Sequence, residues 1–376
     1  MNYWVDKTVL IISPEAWGLN FVSKHHYALE LVKKGSKVYF LNPPVFNQRN
    51  KITLEEIKRN LYSLYYRPEL RGINRIPLTF RNWFNGKTAA LIQETIKKPI
   101  DIIWSFDPYR FQDLRNFEAL FRIYHPVDIH HTNLEKICVK SADIVISTSN
   151  QILKRFFRMD TPLFQINHGL ADYFINPRTL KKSFIRNPKK INVGLVGNLH
   201  YRYIDCEILT FIIRNNSEVD FYFIGPTGKS NLTTSLINEQ LINFLDSMSN
   251  VFLLGSKPSE NLPAYLKELD LFLICYTGDK NVAEMANPHK ILEYLSTGKP
   301  IVSHYVDEYK NKSDLIQMAH DNKDLAQVFS ETVENIHTFN TAESTLKRIS
   351  FAKKHTYEKK LRKIEELLNQ SSRKMS

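Results

Sequence analysis

The stretch Asn287-Pro288-His289-Lys290-Ile291-Leu292-Glu293-Tyr294-Leu295-Ser296-Thr297-Gly298-Lys299-Pro300-Ile301-Val302 reads as loop, helix, tight turn and strand. Pro288 suits a first helical turn, where its fixed φ is already helical and its missing N–H has no partner to lose, so a helix is predicted over 288–296. Gly298 suits the left-handed residue that follows a helix, and Pro300-Ile301-Val302-Ser303 reads as a short buried strand.

Such a helix opens with unpaired N–H groups and a partial positive charge, where a phosphate settles without a dedicated side chain. Glu293 then lies about one and a half turns in, placed to accept hydrogen bonds from the vicinal hydroxyls of a ribose. One helix would hold both ends of a nucleoside diphosphate. An ordinary helix of an α/β domain with a solvated glutamate has the same local features.

Working outward, the first half of the chain alternates strands and helices. Strands are predicted at 8–13, 37–41, 101–104, 122–125, 143–147 and 163–166, with helices at 23–34 and 150–157. A proline-bounded basic stretch at 176–190 reads as an interdomain linker, after which the pattern restarts. Strands follow at 192–196, 220–224, 251–254, 271–276 and 300–303, with helices near 204–214, 261–269 and 288–296. Strands alternating with helices mean βαβ units and parallel sheets. The class is α/β, with two doubly wound Rossmann-like domains over 1–175 and 191–356. A terminal helix at 357–376 has Leu361, Ile364, Leu367 and Leu368 on one stripe.

The string at 288–302 closely resembles the donor-binding signature of GT-B glycosyltransferases, in particular the bacterial cell-envelope enzymes related to family 4. Their pattern is Pro-x-Lys-x-x-Glu-Tyr-Leu-x-x-Gly-x-Pro-Val, matched here by Pro288, Lys290, Glu293, Tyr294, Leu295, Gly298, Pro300 and Val302. Ala142-Asp143-Ile144-Val145-Ile146-Ser147-Thr148-Ser149 and Asn167-His168-Gly169-Leu170-Ala171-Asp172-Tyr173-Phe174 are similar to two further elements of these enzymes. The resemblance implies two domains facing a cleft, the acceptor on the first and the nucleotide sugar on the second, with the terminal helix packed back on the first. It implies that Glu293 holds the ribose and that the backbone around Asn287, Pro288 and His289 approaches the diphosphate and sugar. Many members have a second glutamate eight positions before the ribose one; Met285 stands there in this chain, with Glu284 one residue away.

Gly197-Asn198-Leu199-His200-Tyr201-Arg202 follows the first strand of the second domain, where such folds place a phosphate-facing loop. Arg202 offers a fork of donors to the diphosphate and Lys290 a second cation, so positive groups meet the charge growing on the leaving group. A solvated surface arginine is the plain alternative for Arg202. With no Asp-x-Asp motif, the expectation is a metal-independent transferase of the EC 2.4 class, hexosyl or related, with no cofactor and an NDP-sugar as co-substrate. Gly225-Pro226-Thr227-Gly228-Lys229-Ser230 imitates a P-loop, but the first glycine such a loop requires is replaced by Phe223 inside a strand.

In the first domain, Asp128 or His125 at a strand end would take the proton of an acceptor hydroxyl. His125, Asp128, His130 and His131 lack a diagnostic metal-ligand spacing. Trp17 and Gly18, in the loop after the first strand, are candidates for the acceptor side.

With 376 residues, 43% hydrophobic and 24% charged, the chain suffices for two full cores. No apolar run approaches the roughly 18–20 residues of a spanning helix, and the N-terminus does not read as a signal peptide. Three scattered cysteines point to a reduced, cytoplasmic setting. The net charge of +12 calls for an anionic partner. Arg67, Arg71, Arg75, Arg81 and Lys87 interleave with Tyr65, Tyr66, Phe80, Trp83 and Phe84, so the segment 65–87 is a candidate contact with an anionic membrane on the inner face of the plasma membrane; the plain alternative packs these aromatics into the N-terminal core with the arginines solvated. No nucleic acid is expected. The function expected is transfer from an NDP-sugar to a glycan acceptor, lipid-linked, in surface polysaccharide biosynthesis. A non-hydrolysing NDP-sugar epimerase and a catalytically lapsed binding protein are the other classes compatible with the fold.

Overall fold

The computed structural model describes residues 3–130, 132–177, 179–180, 182–231, 235–277 and 287–375. The chain divides into two compact units: Met1–Trp17, Phe21–Asn167 and Lys360–Ser376 form the first, Gly18–Asn20 and His168–Lys359 the second. The leading part of the first unit thus ends at Asn167, earlier than residue 175. The stretch 176–190, expected as a linker, belongs to the second unit. Phe184 packs on the rings of Tyr222 and Tyr265 at 5.3 and 5.2 Å, and Tyr222 Oη accepts from the Arg186 N–H at 2.9 Å. One anchored aromatic holds this basic stretch against its own unit.

The first unit contains β1 (Thr8–Ile12), β2 (Lys37–Leu41), β3 (Ile52–Lys58), β4 (Leu61–Tyr66), β5 (Ile100–Ser105), β6 (Ala119–Tyr124), β7 (Ile144–Ser147) and β8 (Leu163–Gln165). They form one sheet in the order β3-β4-β2-β1-β5-β6-β7-β8. Every neighbouring pair is parallel except β3 with β4. Its helices include α1 (Ser23–Lys33), α2 (Leu78–Ile96), α3 (Leu134–Ser141) and α4 (Asn150–Leu153). All five residues of β1 are buried, as expected of a central parallel strand covered on both faces.

Sequence periodicity misses β3, β4 and α2. The edge strand β3 is mostly exposed and carries Glu55, Glu56 and Lys58, charges that protect an edge from pairing further. Helix α2 buries Arg81, Asn85, Thr88, Ala89, Ile92 and Ile96, a helical face whose N-terminal half is polar. This divides the 65–87 segment. Tyr66 and Arg81 are buried, with Arg81 donating to the Ile76 carbonyl at 3.2 Å, whereas Phe80 and Trp83 are 62% and 55% exposed.

The second unit contains β9 (Asn192–Val196), β10 (Asp220–Ile224), β11 (Val251–Gly255), β12 (Leu271–Ile274), β13 (Ile301–Ser303) and β14 (Gln317–Met318), in the order β11-β10-β9-β12-β13-β14. Every pair is parallel. Around it lie α5 (Cys206–Asn215), α6 (Glu239–Ser247), α7 (Leu262–Lys267), α8 (Lys290–Leu295), α9 (Leu325–Glu334), α10 (Ile336–Phe339) and α11 (Ala342–Lys354). The terminal helix α12 (Tyr357–Met375) starts in the second unit and enters the first at Lys360.

Strand order reverses beside the first strand of each sheet, between β1 and β5 and between β9 and β12. At such switch points the loops leaving the strands part, opening a crevice at the carboxyl ends of the sheet.

Candidate functional site

At the switch point of the second unit, β9 runs into Gly197 and Asn198, and β12 into Cys275 and Tyr276. With Lys290 and Tyr294 these residues line a cavity of about 40 Å³. The Gly197 loop is fixed by its own backbone: the Gly197 N–H donates to the Ile224 carbonyl at 3.0 Å and that of Leu199 to the Pro226 carbonyl at 3.2 Å. A Cβ on Gly197 would lie 3.2 Å from Lys290 Cε, so a glycine here lets the lysine stem lie against the loop. Asn198 shapes the turn, its Oδ1 accepting from the His200 N–H at 2.9 Å.

Gly225 explains the P-loop imitation. Its Cβ would sit 1.8 Å from the Gly197 carbonyl oxygen, whereas a Cβ on Gly228 would meet nothing within 4 Å. The first glycine serves the close approach of two strand ends; phosphate wrapping is not involved.

Helix α8 begins at Lys290, two residues later than expected. The Ile291 and Leu292 N–H groups reach back only three residues, to Pro288 and His289, each at 3.2 Å, so the first turn is wound tightly in 3₁₀ fashion. Gly298 ends it at φ +78°, and Arg348 of α11, 1% exposed, donates to the Gly298 and Leu315 carbonyls at 3.1 and 3.2 Å. Tyr294 fixes the middle: its ring stacks on Phe272 at 4.2 Å and its Oη accepts from the Val196 N–H at 2.8 Å. The tyrosine of the sequence signature thereby ties α8 to the end of β9 and to the start of β12.

The chemistry is concentrated in Lys290 and Glu293. Lys290 Nζ lies 3.3 Å from His289 Nε2, and burial holds its ammonium below the ordinary lysine range against the favourable charge of Glu293. The Glu293 carboxylate has no hydrogen bond among the described residues; His289 Nε2 lies 3.9 Å away. Burial pushes Glu293 up to about 7, with Lys290 acting in the opposite direction. Leaving a largely buried carboxylate without donors is costly unless a ligand supplies them.

Two further residues of the second unit complete this side. The His168 ring meets His289 edge-on at 5.9 Å. Burial raises the Tyr173 phenol and the charge of Glu293 raises it further. Both lie in the 167–174 stretch that sequence reasoning assigned to the end of the first domain. Gly169 gave no ligand signal of its own: a Cβ there would lie 2.6 Å from the Tyr357 backbone nitrogen.

Asn287 and Pro288, half-buried, lead into α8. Arg202 is exposed and lies on the Tyr203 ring at 4.5 Å, bonding its hydroxyl, with Tyr201 and Tyr276 next in the row. Met285 and Glu284 lie outside the described residues, as does His131.

In the first unit, Trp17 packs on Phe21, His25 and Phe40 at 5.0–5.3 Å. Gly18 groups with the second unit. His125 is buried in the core, its ring stacked with Trp104 and Phe106 and its Nδ1 accepting from Trp104 Nε1 at 3.2 Å. Asp128, in the loop after β6, is exposed. Among the described residues no group of three or more His, Cys, Asp or Glu side chains is placed to hold a metal.

Two doubly wound units in one chain define the GT-B fold. Solved structures agree over nearly the whole length. Sucrose-phosphate synthase from Thermosynechococcus elongatus matches with a TM-score of 0.70 at 12% identity, over 97% of this chain and 98% of that one. A UDP-forming α,α-trehalose-phosphate synthase from Burkholderia xenovorans, in complex with glucose-6-phosphate, matches at 0.71 and 10%, over 96% and 100%. Anabaena HepE in complex with UDP and glucose matches at 0.64 and 13%, over 96% and 99%. No family model matches the chain, and no curated protein matches it in sequence.

Proposed function

We propose that this chain is a glycosyltransferase whose second unit binds an NDP-sugar at the β9/β12 switch point. The observation that carries this is the Glu293 carboxylate, largely buried and without a hydrogen bond among the described residues, one turn after Lys290, whose stem lies against the Gly197 loop. Vicinal ribose hydroxyls supply the donors that Glu293 lacks, and the Lys290 ammonium with the Gly197 loop meets the diphosphate. Charge grows on that diphosphate as the glycosidic bond breaks, so the same cation lowers the barrier. UDP is the first nucleotide to test, because HepE and the trehalose-phosphate synthase are described with UDP or as UDP-forming.

The acceptor belongs to the first unit, with Asp128 as the base that takes the hydroxyl proton. Its class in this proposal is a glycan, lipid-linked, in surface polysaccharide synthesis, transferred by a hexosyl-type, metal-independent enzyme. Membrane contact is assigned to the exposed side of α2, where Phe80 and Trp83 stand out and Lys87 Nζ lies 3.6 Å from the Trp83 ring centroid. In this proposal the protein works at the cytoplasmic face of the plasma membrane.

Titration of UDP-, GDP- and dTDP-sugars into the wild type and Glu293→Ala, with sugar release followed in parallel, tests the donor site. The expected result is nucleotide-selective binding that weakens at least tenfold in Glu293→Ala. Equal affinity in both proteins, or no binding across the panel, would remove the basis for a donor site.

A further inference from the structure

The first unit has its own switch point, between β1 and β5, and a built polar surface lies there. The loop after β1 brings Glu15, the first turn of α1 brings Lys24, and the loop after β5 brings Asp107, Tyr109 and Arg110. The Lys24 side chain is 2% exposed and its Nζ pairs with Glu15 Oε2, while Glu15 remains 26% exposed. Among the described residues Lys24 is the only side-chain polar partner of that carboxylate, which leaves its other oxygen without a hydrogen bond.

Arg110 is as fully committed. It donates to Asp107 Oδ2 at 2.5 Å, to the Asn42 carbonyl at 2.7 Å and to the Ser13 carbonyl, so it ties the ends of β1, β2 and β5 together. Beside them, Arg155 pairs with Glu135 at 2.5 Å and donates to the His130 carbonyl at 2.8 Å. The His130 ring meets Tyr109 edge-on at 5.4 Å, and Tyr109 is 42% exposed. Burial pushes His130 down to about 4, so it is neutral at pH 7; the charges of Asp107 and Glu15 act against that shift, and those of Lys24 and Arg155 with it.

The charge count decides what fits. Each of the three cations, Lys24, Arg110 and Arg155, already has its own carboxylate. A phosphate needs a cation to spare, and in a chain of net charge +12 none of these three is spare. A polyol needs the opposite: a carboxylate oxygen with free lone pairs, nearby donors and an aromatic face for its C–H side.

We propose that this strand-end surface binds an uncharged, polyhydroxylated ligand, the ring of a neutral sugar, and rejects phosphorylated sugars, with Glu15 as the discriminating residue. Only the naming of that ring as the terminal residue of the acceptor rests on the transferase function proposed above.

Saturation-transfer NMR titrations of the full chain with glucose, mannose, galactose and N-acetylglucosamine, each against its 6-phosphate, test this. At least one neutral sugar should bind ten or more times more tightly than its phosphate. Glu15→Gln should shrink that ratio at least fivefold, by weakening the neutral sugar and strengthening the phosphate, two opposite changes that a loss of packing would not produce together. UDP titrated into the same samples reports on the second unit, and an unchanged limited-proteolysis pattern and melting profile of Glu15→Gln shows that the first unit, which holds Glu15, is folded. Phosphates binding as tightly as neutral sugars, no sugar binding at all, or an unaltered ratio in Glu15→Gln would each overturn the proposal. Absence of UDP binding with sugar discrimination intact would instead count against the donor site alone.

Discussion

Glu293 is a carboxylate that the fold leaves short of donors, and its titration should report on what completes it. Burial raises its folded value to about 7, above the ordinary carboxylate range of an unfolded chain. A group raised in this way adds stability below its unfolded pKa and loses that contribution as pH climbs through 7. Ligand-free Glu293→Gln is therefore expected to melt a few degrees above the wild type at pH 8 and nearly level with it at pH 5, a difference of roughly 2–3 kcal/mol, the pull of Lys290 being already contained in the folded value. Binding has the reverse sign. Ribose hydroxyls donate to the ionised form, so UDP affinity of the wild type should fall by about tenfold from pH 8 to pH 6 beyond any fall seen in Glu293→Gln. Parallel calorimetric titrations at the two pH values decide this, and superimposable profiles for the two proteins would mean that Glu293 does not meet the nucleotide.

At the scale of elements, the proposed donor side depends on strand ends that approach at backbone distance. Gly225→Ala places a methyl 1.8 Å from the Gly197 oxygen, where only a backbone shift relieves it; Gly228→Ala enters open space. The first should cost about 1–3 kcal/mol and weaken UDP binding at least tenfold by displacing the Gly197 loop, while the second stays within about 0.5 kcal/mol of the wild type. Equal melting temperatures for the two variants would contradict the close approach. This pair also marks how far the sequence could be read. Apolar runs such as those of β1, β9 and β10 announced the parallel sheets, and Gly298 and Pro300 announced the turn from α8 into β13, because each obeys a local rule. Helix α2 did not announce itself, since its buried face carries Arg81, Asn85 and Thr88. His168 and Tyr173 were equally silent as site residues: they come to Glu293 and His289 through the fold of the second unit, and no spacing along the chain encodes that. His125 carried a chemically active imidazole into an aromatic core, a burial that residue type alone does not reveal.

At the scale of the whole molecule, the chain is threaded so that both units are discontinuous, while the residues of the proposed donor site all fall in the long segment of the second. The first unit needs Lys360–Ser376, whose Leu361, Ile364 and Leu368 are each 0% exposed, and whose Glu365 carboxylate accepts from the Tyr3 N–H at 3.1 Å. At about 1.5–3 kcal/mol per fully buried aliphatic side chain, removing three of them costs about 5–9 kcal/mol, as much as many domains possess. His168, Tyr173, Gly197, Tyr276, Lys290, Glu293 and Tyr294, by contrast, all fall inside His168–Lys359. Truncation after Lys359 should therefore expose the first unit to protease within minutes while a fragment spanning roughly residues 168–359 persists. The truncated protein should bind UDP within about threefold of the full chain. Rapid loss of both units together, or loss of UDP binding while the 168–359 fragment survives, would show that the donor site draws on the first unit for its integrity, contrary to the self-contained arrangement of its side chains.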